Sequence, residues 1–308
     1  MAVACLGELI VDLIAEKSDR ALHQNEYFHM MVGGAPANVA IGLHHHGVPV
    51  RLISRVGEDS PGHFLVRYLE AKGISTRFIQ RDPFHRTRIA LVGRRSSGAR
   101  YFEFHNLQSA DQFLEVSPLL LEAIKGIRIF HFGGVAFLGE TTALTTLHLL
   151  QQLPPATIIT FDPNVRLSLS RNAEQQRLAL QKALEYVHLL KCSEEDWNAL
   201  FSLEEQRQML ADPTKIIIIT RGAMPTELCI AGHCLQVPVE RVPAIDTTGA
   251  GDAFMAALLA KLYRERKDSA LKEVPIAEWK KWIAFAHSWG SRCVQFKGGV
   301  GCYDVQGE

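Results

Sequence analysis

An α/β fold built on a mostly parallel sheet is predicted by three features of the chain. Short apolar or β-branched runs recur through its second half: Ile127 to Phe132, Thr157 to Asp162, Tyr186 to Lys191, Ile216 to Thr220, and Cys229 to Ile230. Helical stretches separate several of them, at Thr141 to Gln152, Ala173 to Leu184, Glu194 to Leu203 and Ala253 to Arg266. This alternation is that of right-handed βαβ units on a sheet covered on both faces. The third feature is composition. With 308 residues, 47% hydrophobic and 21% charged, the chain has the profile of one large globular domain or a domain with a small appendage.

The earlier part of the chain adds a smaller unit. Val3 to Leu6 and Leu9 to Ile14 read as strands parted by Gly7-Glu8. Asp12 interrupts the second, where a carboxylate either points out of a half-buried sheet or grips something polar. In Val32-Gly33-Gly34-Ala35-Pro36-Ala37-Asn38-Val39-Ala40 the double glycine permits unusual φ and close backbone approach, and a helix of small residues then runs to Gly47. Asn38 has two readings: a hydrogen bond to a hydroxyl-rich ligand, or one that ties the loop to itself. His44-His45-His46 looks like a metal tract, but three consecutive helical positions point in three directions and cannot converge on one ion. Arg51 to Val56 reads as a strand, Pro61 to Lys72 as a helix closed by Gly73, and Ile74 to Gln80 as a short strand. Thr87 to Gly93 and Ala99 to His105 flank the polar run Arg94-Arg95-Ser96-Ser97-Gly98 and form a β-hairpin. With Leu9 to Ile14 and Phe28 to Val32, this hairpin makes a small sheet outside the main core.

Ligands of parallel α/β folds bind beyond the carboxyl ends of strands. Three such ends are chemically rich: Asp162-Pro163-Asn164-Val165-Arg166, Ser193-Glu194-Glu195-Asp196 and Thr220-Arg221-Gly222. Acids, a hydroxyl, an arginine and a glycine turn on one rim suit a phosphate and magnesium. The most informative stretch is Ala244-Ile245-Asp246-Thr247-Thr248-Gly249-Ala250-Gly251-Asp252-Ala253-Phe254-Met255. Small residues opening a helix bring its free N–H groups and positive dipole end up to an anion. Asp252 is out of place in such a site unless it takes a proton from whatever attacks the anion. Its other reading is a helix N-cap.

Several classes are disfavoured. Lys+Arg and Asp+Glu both number 33, so no basic face for nucleic acid is expected. The first residues lack the basic and apolar regions of a signal peptide, and no apolar run approaches the roughly 20 residues that span a bilayer. A cytoplasmic protein is therefore expected. The six cysteines form no CxxC pair and read as buried free thiols rather than disulfides or a zinc site. Walker-type, protein-kinase, HExxH and GxSxG motifs are absent.

Gly33 to Ala40 together with Asp246 to Phe254 resembles the two signatures of the ribokinase-like sugar kinases, the PfkB family. The resemblance covers nearly the whole chain in order. Within the family the chain is most similar to fructokinases, through Gly7-Glu8 with Asp12, Val56-Gly57-Glu58-Asp59, Ser109-Ala110-Asp111, Phe161 to Arg166 and Lys191 to Asp196. The resemblance implies a three-layer α/β/α core spanning residues 1–308, with a small β-sheet lid contributed by segments near 9–32 and 86–107. It implies transfer of the γ-phosphoryl group of ATP to a hydroxymethyl group of a ketose, with fructose the leading candidate. The alternatives are 2-keto-3-deoxygluconate, another sugar or a nucleoside, and, outside catalysis, a sugar-binding regulator. ATP, Mg²⁺ and an activating K⁺ are the implied cofactors. A small sheet with one apolar face and one over the sugar would be stabilised by pairing with a second such lid, so a homodimer through the lid is the expected assembly.

Carried over position by position, the resemblance makes Asp252 the base, with Gly249, Ala250 and Gly251 as the anion hole and Arg166 beside the sugar or transferring phosphate. Asp12, Gly33, Gly34 and Asn38 hold the sugar. Ser193, Asp196, Thr220, Gly222, His287 and Gly298 serve the nucleotide, with Asp196 organising magnesium through water. Asp246 and Thr248 belong to the monovalent-cation site. Five positions depart from the family pattern: Ser193 and Asp196 stand for Asn and Glu, His287 for Asn, Pro225 for a second glycine, and Asn106 for a lid arginine.

Overall fold

The structure, a computed structural model, describes residues 1–96, 100–106, 108–164, 166, 169–170, 172–265 and 271–304. In chain order its strands are β1 (Ala2–Leu6), β2 (Ile10–Ala15), β3 (Phe28–Gly33), β4 (Val50–Gly57), β5 (Ile79–Asp82), β6 (Ile89–Arg94), β7 (Arg100–His105), β8 (Ile127–Gly133), β9 (Ile158–Asp162), β10 (Leu189–Ser193), β11 (Ile216–Arg221), β12 (Met224–Ile230) and β13 (His233–Val237). The α-helices are α1 (Ala35–His45), α2 (Ser60–Ala71), α3 (Pro118–Ala123), α4 (Glu140–Gln152), α5 (Ala173–Leu184), α6 (Glu194–Leu200), α7 (Leu203–Ala211), α8 (Ala250–Glu265) and α9 (Ile276–Cys293).

The large sheet runs in the order β13-β12-β11-β10-β9-β8-β1-β4-β5. Its strands are parallel from β11 through β5, and only the β12–β13 hairpin at one edge is antiparallel. Strand residues alternate between two apolar layers, as the two-residue period requires. Val3, Cys5, Ile129, Ile216 and Ile218 join a core with α1, α2, α8 and α9. Ala4, Leu6, Phe130, Ile217 and Ile219 join a second core with α3, α4, α5 and α6. Helices thus cover both faces, giving three layers. A separate four-stranded sheet, β3-β2-β6-β7, has its own small cluster of Ile10, Ile14, Ala90 and Val92.

The predicted strands and helices are largely where the periodicity places them, with instructive exceptions. β5 begins at Ile79, because the Ile74 N–H donates to Leu69 O at the end of α2 and the chain turns once more before the sheet. β10 begins at Leu189, since the N–H groups of Tyr186 and Val187 donate to Ala183 O and Leu184 O as α5 unwinds. The helix expected over Glu194 to Leu203 is two, broken at Ser202, whose side chain and that of Glu205 form a capping box that starts α7. α9 was not anticipated, although Trp279, Trp282, Ile283 and Ala286 are buried at helical spacing against α8. Ser97 and Gly98 of the expected hairpin turn, Ala99 at the expected start of its second strand, and Arg266 at the expected end of α8 lie outside the described residues.

The expectation of free thiols throughout is corrected at one place. Cys229 and Cys234 are disulfide-bonded, with Cα atoms 4.1 Å apart. The β12–β13 register sets them directly opposite each other, which an apolar pattern alone does not reveal. Cys5, Cys192, Cys293 and Cys302 are free and buried.

Candidate active site

The carboxyl ends of β1, β9, β10 and β11 and the first turn of α8 open onto one cavity of about 320 Å³. Phe102 and Phe104 of the small sheet form part of its wall. α8 begins at Ala250, so Asp252 is its third residue and does not precede the helix as an N-cap would. Its Oδ2 accepts a hydrogen bond from Asn38 Nδ2 at 2.8 Å. Asp252 is therefore no N-cap and faces the cavity, and Asn38 reaches across to it rather than to its own loop. Burial raises the Asp252 pKa above the ordinary carboxylate value, against the lowering effect of the Asn38 hydrogen bond.

The double glycine serves two carboxyl-bearing neighbours. A Cβ on Gly33 would fall 2.4 Å from the Asp12 carboxylate, and one on Gly34, at φ 102°, would fall 2.3 Å from Glu8 O. A side chain at either position would displace a group that lines the cavity. Asp12 is 5% exposed, and burial pushes its pKa up to about 7, with Arg100 acting to lower it and Asp252 to raise it. Glu8 accepts the Ala35 N–H through Oε1 at 2.8 Å, and burial likewise takes its pKa to about 7.

The opposite wall carries a buried ion pair. Lys191 Nζ lies 2.7 Å from Asp162 Oδ2. Burial acts to lower the lysine pKa, but the charge and hydrogen bond of Asp162 outweigh it and hold it above its usual value. A Cβ on Gly251 would come within 2.8 Å of Lys191 Nζ, so the ammonium lies against the first turn of α8. Ser193 Oγ accepts the Asp196 N–H at 3.0 Å as the N-cap of α6, and both residues line the cavity with Glu195. The Arg166 guanidinium lies over the Phe102 ring, 5.8 Å from its centroid, linking the β9 loop to the small sheet.

A second cavity, of about 340 Å³, adjoins the first: Arg100, Thr220 and Gly251 line both. Val239, Val242, Ala244, Phe254 and Val294 make it largely apolar, and Gly222 and His287 lie on its wall. His287 meets Phe254 edge to face at 5.1 Å, and burial lowers its pKa to about 4. Thr220 Oγ1 donates to Cys192 O at 3.3 Å.

Three predicted residues, Gly33, Asp246 and Gly298, are not among those lining either cavity. Asp246 is fully buried behind the α8 turn, accepting Thr248 N–H and O–H through Oδ1 and Gly298 N–H through Oδ2. Gly298 is not among the residues lining the second cavity; it packs against Met31 and Ile14 of the small sheet. Asn106 takes φ 58° and donates from Nδ2 to Thr87 O at 2.8 Å. His45 and His46 pack their rings on Trp289. Among the described residues, the group spaced to hold a metal is Glu227 with Cys229 and Cys234, whose sulfurs are already bonded to each other.

The sequence reading assigned no role to Lys191, Arg100, Glu8 or Arg88, all of which line the first cavity. The readable signal was a charge inside an otherwise apolar strand, as at Lys191 in Leu-Leu-Lys-Cys.

Comparison with known proteins agrees with this architecture. Residues 2–305 match the model of the pfkB family carbohydrate kinases. A fructokinase of Escherichia coli is 31% identical over 96% of this chain and 94% of its own. A probable chloroplastic fructokinase-6 of Arabidopsis thaliana is 30% identical over 97% of this chain and 78% of its own. A Vibrio cholerae O395 fructokinase double mutant, crystallised with fructose, ADP and potassium ion, superposes with a TM-score of 0.84 at 27% identity, covering 98% of this chain and 94% of that one. An aminoimidazole riboside kinase of Salmonella enterica shares the fold, with a TM-score of 0.82 at 23% identity over 99% of this chain and 97% of its own.

Proposed function

Because the chain belongs to the pfkB family of carbohydrate kinases and is an ATP-dependent sugar kinase, we propose that it phosphorylates a terminal hydroxyl of a ketose, fructose first among them. The observation that carries this reading is the position of Asp252. Its half-buried carboxylate faces the polar cavity one residue after Gly251, which lines both cavities.

The sugar lies in the first cavity, where Asp12, Asn38 and the Gly33-Gly34 backbone bind its hydroxyls. The nucleotide base lies in the apolar second cavity beside His287 and Gly222, with its phosphates toward Thr220 and Gly251. Asp252 accepts the proton of the attacking hydroxyl, and its raised pKa makes it a stronger base than an exposed aspartate. The N–H groups of Gly249, Ala250 and Gly251 at the start of α8, with Lys191 and Arg166, stabilise charge on the transferring phosphoryl group. The small sheet, carrying Phe102 and Phe104, closes over the sugar and excludes water that would otherwise accept the phosphoryl group.

The chemistry of the donors suits a hard divalent cation held through water, since the carboxylates of Asp162, Glu195 and Asp196 line the cavity without being spaced to close on one ion directly. Bound there, magnesium would neutralise phosphate charge, with Ser193 fixing the turn that presents Asp196. Asp246 suits a monovalent cation: it is a buried carboxylate held by three uncharged donors. The resemblance to a protein crystallised with potassium ion supports that assignment.

The test is ADP release from MgATP with fructose, 2-keto-3-deoxygluconate, ribose, glucose and nucleosides, run beside Asp252→Asn. Fast turnover with one ketose, reduced roughly 10²–10⁴-fold in the variant while calorimetric sugar binding persists, is expected. Near-wild-type turnover in Asp252→Asn would remove the base. Binding of sugars without ADP release from the wild type would make the chain a sugar-binding regulator.

A further inference from the structure

Four buried polar atoms of residues lining the first cavity have no hydrogen-bond partner in the protein: Arg88 Nη1, Arg100 Nη1, Glu8 Oε2 and Asn38 Oδ1. Arg88 is the unusual one. It is the residue just before β6, is 1% exposed, and is among the largest fully buried side chains. Its Nε and Nη2 donate to Asp111 Oδ2 at 3.2 and 2.9 Å. Asp111 is in turn held by the Ser109 hydroxyl at 2.5 Å. The pair is therefore built and rigid, yet it engages only part of the guanidinium. A charged donor nitrogen left unmatched at such depth is costly, and buried polar atoms are ordinarily satisfied.

We propose that Arg88 determines sugar specificity, its Nη1 donating to an oxygen in the non-reacting part of the substrate and favouring an uncharged polyhydroxy ketose over an acidic sugar. This rests on the sugar-kinase reading above. The preference for a neutral ligand follows from charge and from hydrogen-bond capacity. Asp111 already matches the Arg88 charge, Asp162 matches Lys191, and Arg100 and Arg166, which also line the cavity, have the acid of Asp12 for their charges to act on. A substrate carboxylate would add an acid to a cavity already lined by Glu8, Asp12 and Asp252. The orphaned atoms include both donors and acceptors. Hydroxyl groups satisfy both kinds, whereas a carboxylate only accepts.

The experiment compares wild type with Arg88→Lys, which keeps a cation facing Asp111 but loses the third nitrogen. Fructose, its monodeoxy analogues and 2-keto-3-deoxygluconate are the substrates, with melting temperature and KM for MgATP as controls. Arg88→Lys should melt near wild type and keep its KM for MgATP, while kcat/KM for fructose falls about 10- to 100-fold, mainly through KM. One deoxy analogue should be discriminated against at least about 10-fold by wild type and not by the variant, while discrimination at the other positions stays. A folded Arg88→Lys with unchanged KM and unchanged analogue ranking overturns the proposal. So does a wild type that favours the acidic sugar. If Arg88→Lys fails to fold, the double variant Arg88→Met with Asp111→Leu removes the donor without leaving a buried unpaired acid, and the same two outcomes decide. If wild type turns over no sugar at all, the kinase specificity above fails. Calorimetric binding of the same sugars to both proteins then still tests Arg88 by itself.

Discussion

Replacing Asp12 by Asn should weaken sugar binding and stabilise the free protein, and the second effect has a pH signature. Burial takes the Asp12 pKa from 3.8 to about 7 in the folded chain. The folded state therefore holds the proton more tightly than the unfolded state does. That contribution to stability is complete below about pH 4 and is lost as pH rises to about 7. A shift of roughly 3 units at 1.36 kcal/mol each is about 4 kcal/mol. Asparagine never ionises and does not incur this loss. In thermal melts without ligand, Asp12→Asn and wild type should unfold together near pH 4. By pH 8 the variant should lead by roughly 8 °C, taking about 2 °C per kcal/mol for a chain of this size. Glu8 titrates in the same window, so wild type alone cannot isolate Asp12, but the difference between the two proteins can. Affinity for fructose at pH 8 should fall about 10- to 100-fold, the value of a hydrogen bond to a charged group. A melting difference that stays constant from pH 4 to 8 would refute the argument that Asp12 is ionised at the expense of stability.

Three further outcomes follow from the geometry. Gly249→Ala places a side chain at φ 76° and 2.4 Å from the Gly299 backbone, so it should cost at least about 2 kcal/mol in denaturant unfolding; a loss under 0.5 kcal/mol contradicts the close approach. Lys191→Met leaves Asp162 buried and unpaired and should destabilise by about 3–5 kcal/mol, whereas Lys191→Met with Asp162→Asn should recover much of that stability but not turnover. Recovered turnover in the double variant would show that Lys191 has no part beyond holding Asp162. Because burial raises the Asp252 pKa, kcat/KM for the sugar should fall on the acid side at a pH above the usual aspartate range. An activity profile that is flat down to pH 4 would argue against Asp252 as the base.

The periodicities of the chain were sufficient for the layered α/β fold and the small sheet, because alternation in strands and helical spacing are local properties that survive any tertiary arrangement. They failed at Tyr186 and Ile74, where apolar residues that look like strand starts complete the preceding helix. They also failed at Ser202, where a capping box divides an apparently continuous helix. The glycine-rich stretches of the site were equally legible, since Gly33-Gly34 and Gly249-Ala250-Gly251 announce close approach wherever they occur. What closes upon them was not. That Asp12 occupies the space above Gly33, that Asn38 binds Asp252 from 214 positions away, and that Lys191 pairs with Asp162 beside Gly251 are contacts between separate strands and helices. No one-dimensional pattern encodes such distances. The same limit hid the Cys229–Cys234 bridge, which depends on hairpin register, and the unmatched nitrogen of Arg88, which depends on the depth to which folding carries it. Residue types and their order determined which chemistry the chain can perform; burial and pairing, which exist only in the folded state, decided which atoms are left to meet a substrate.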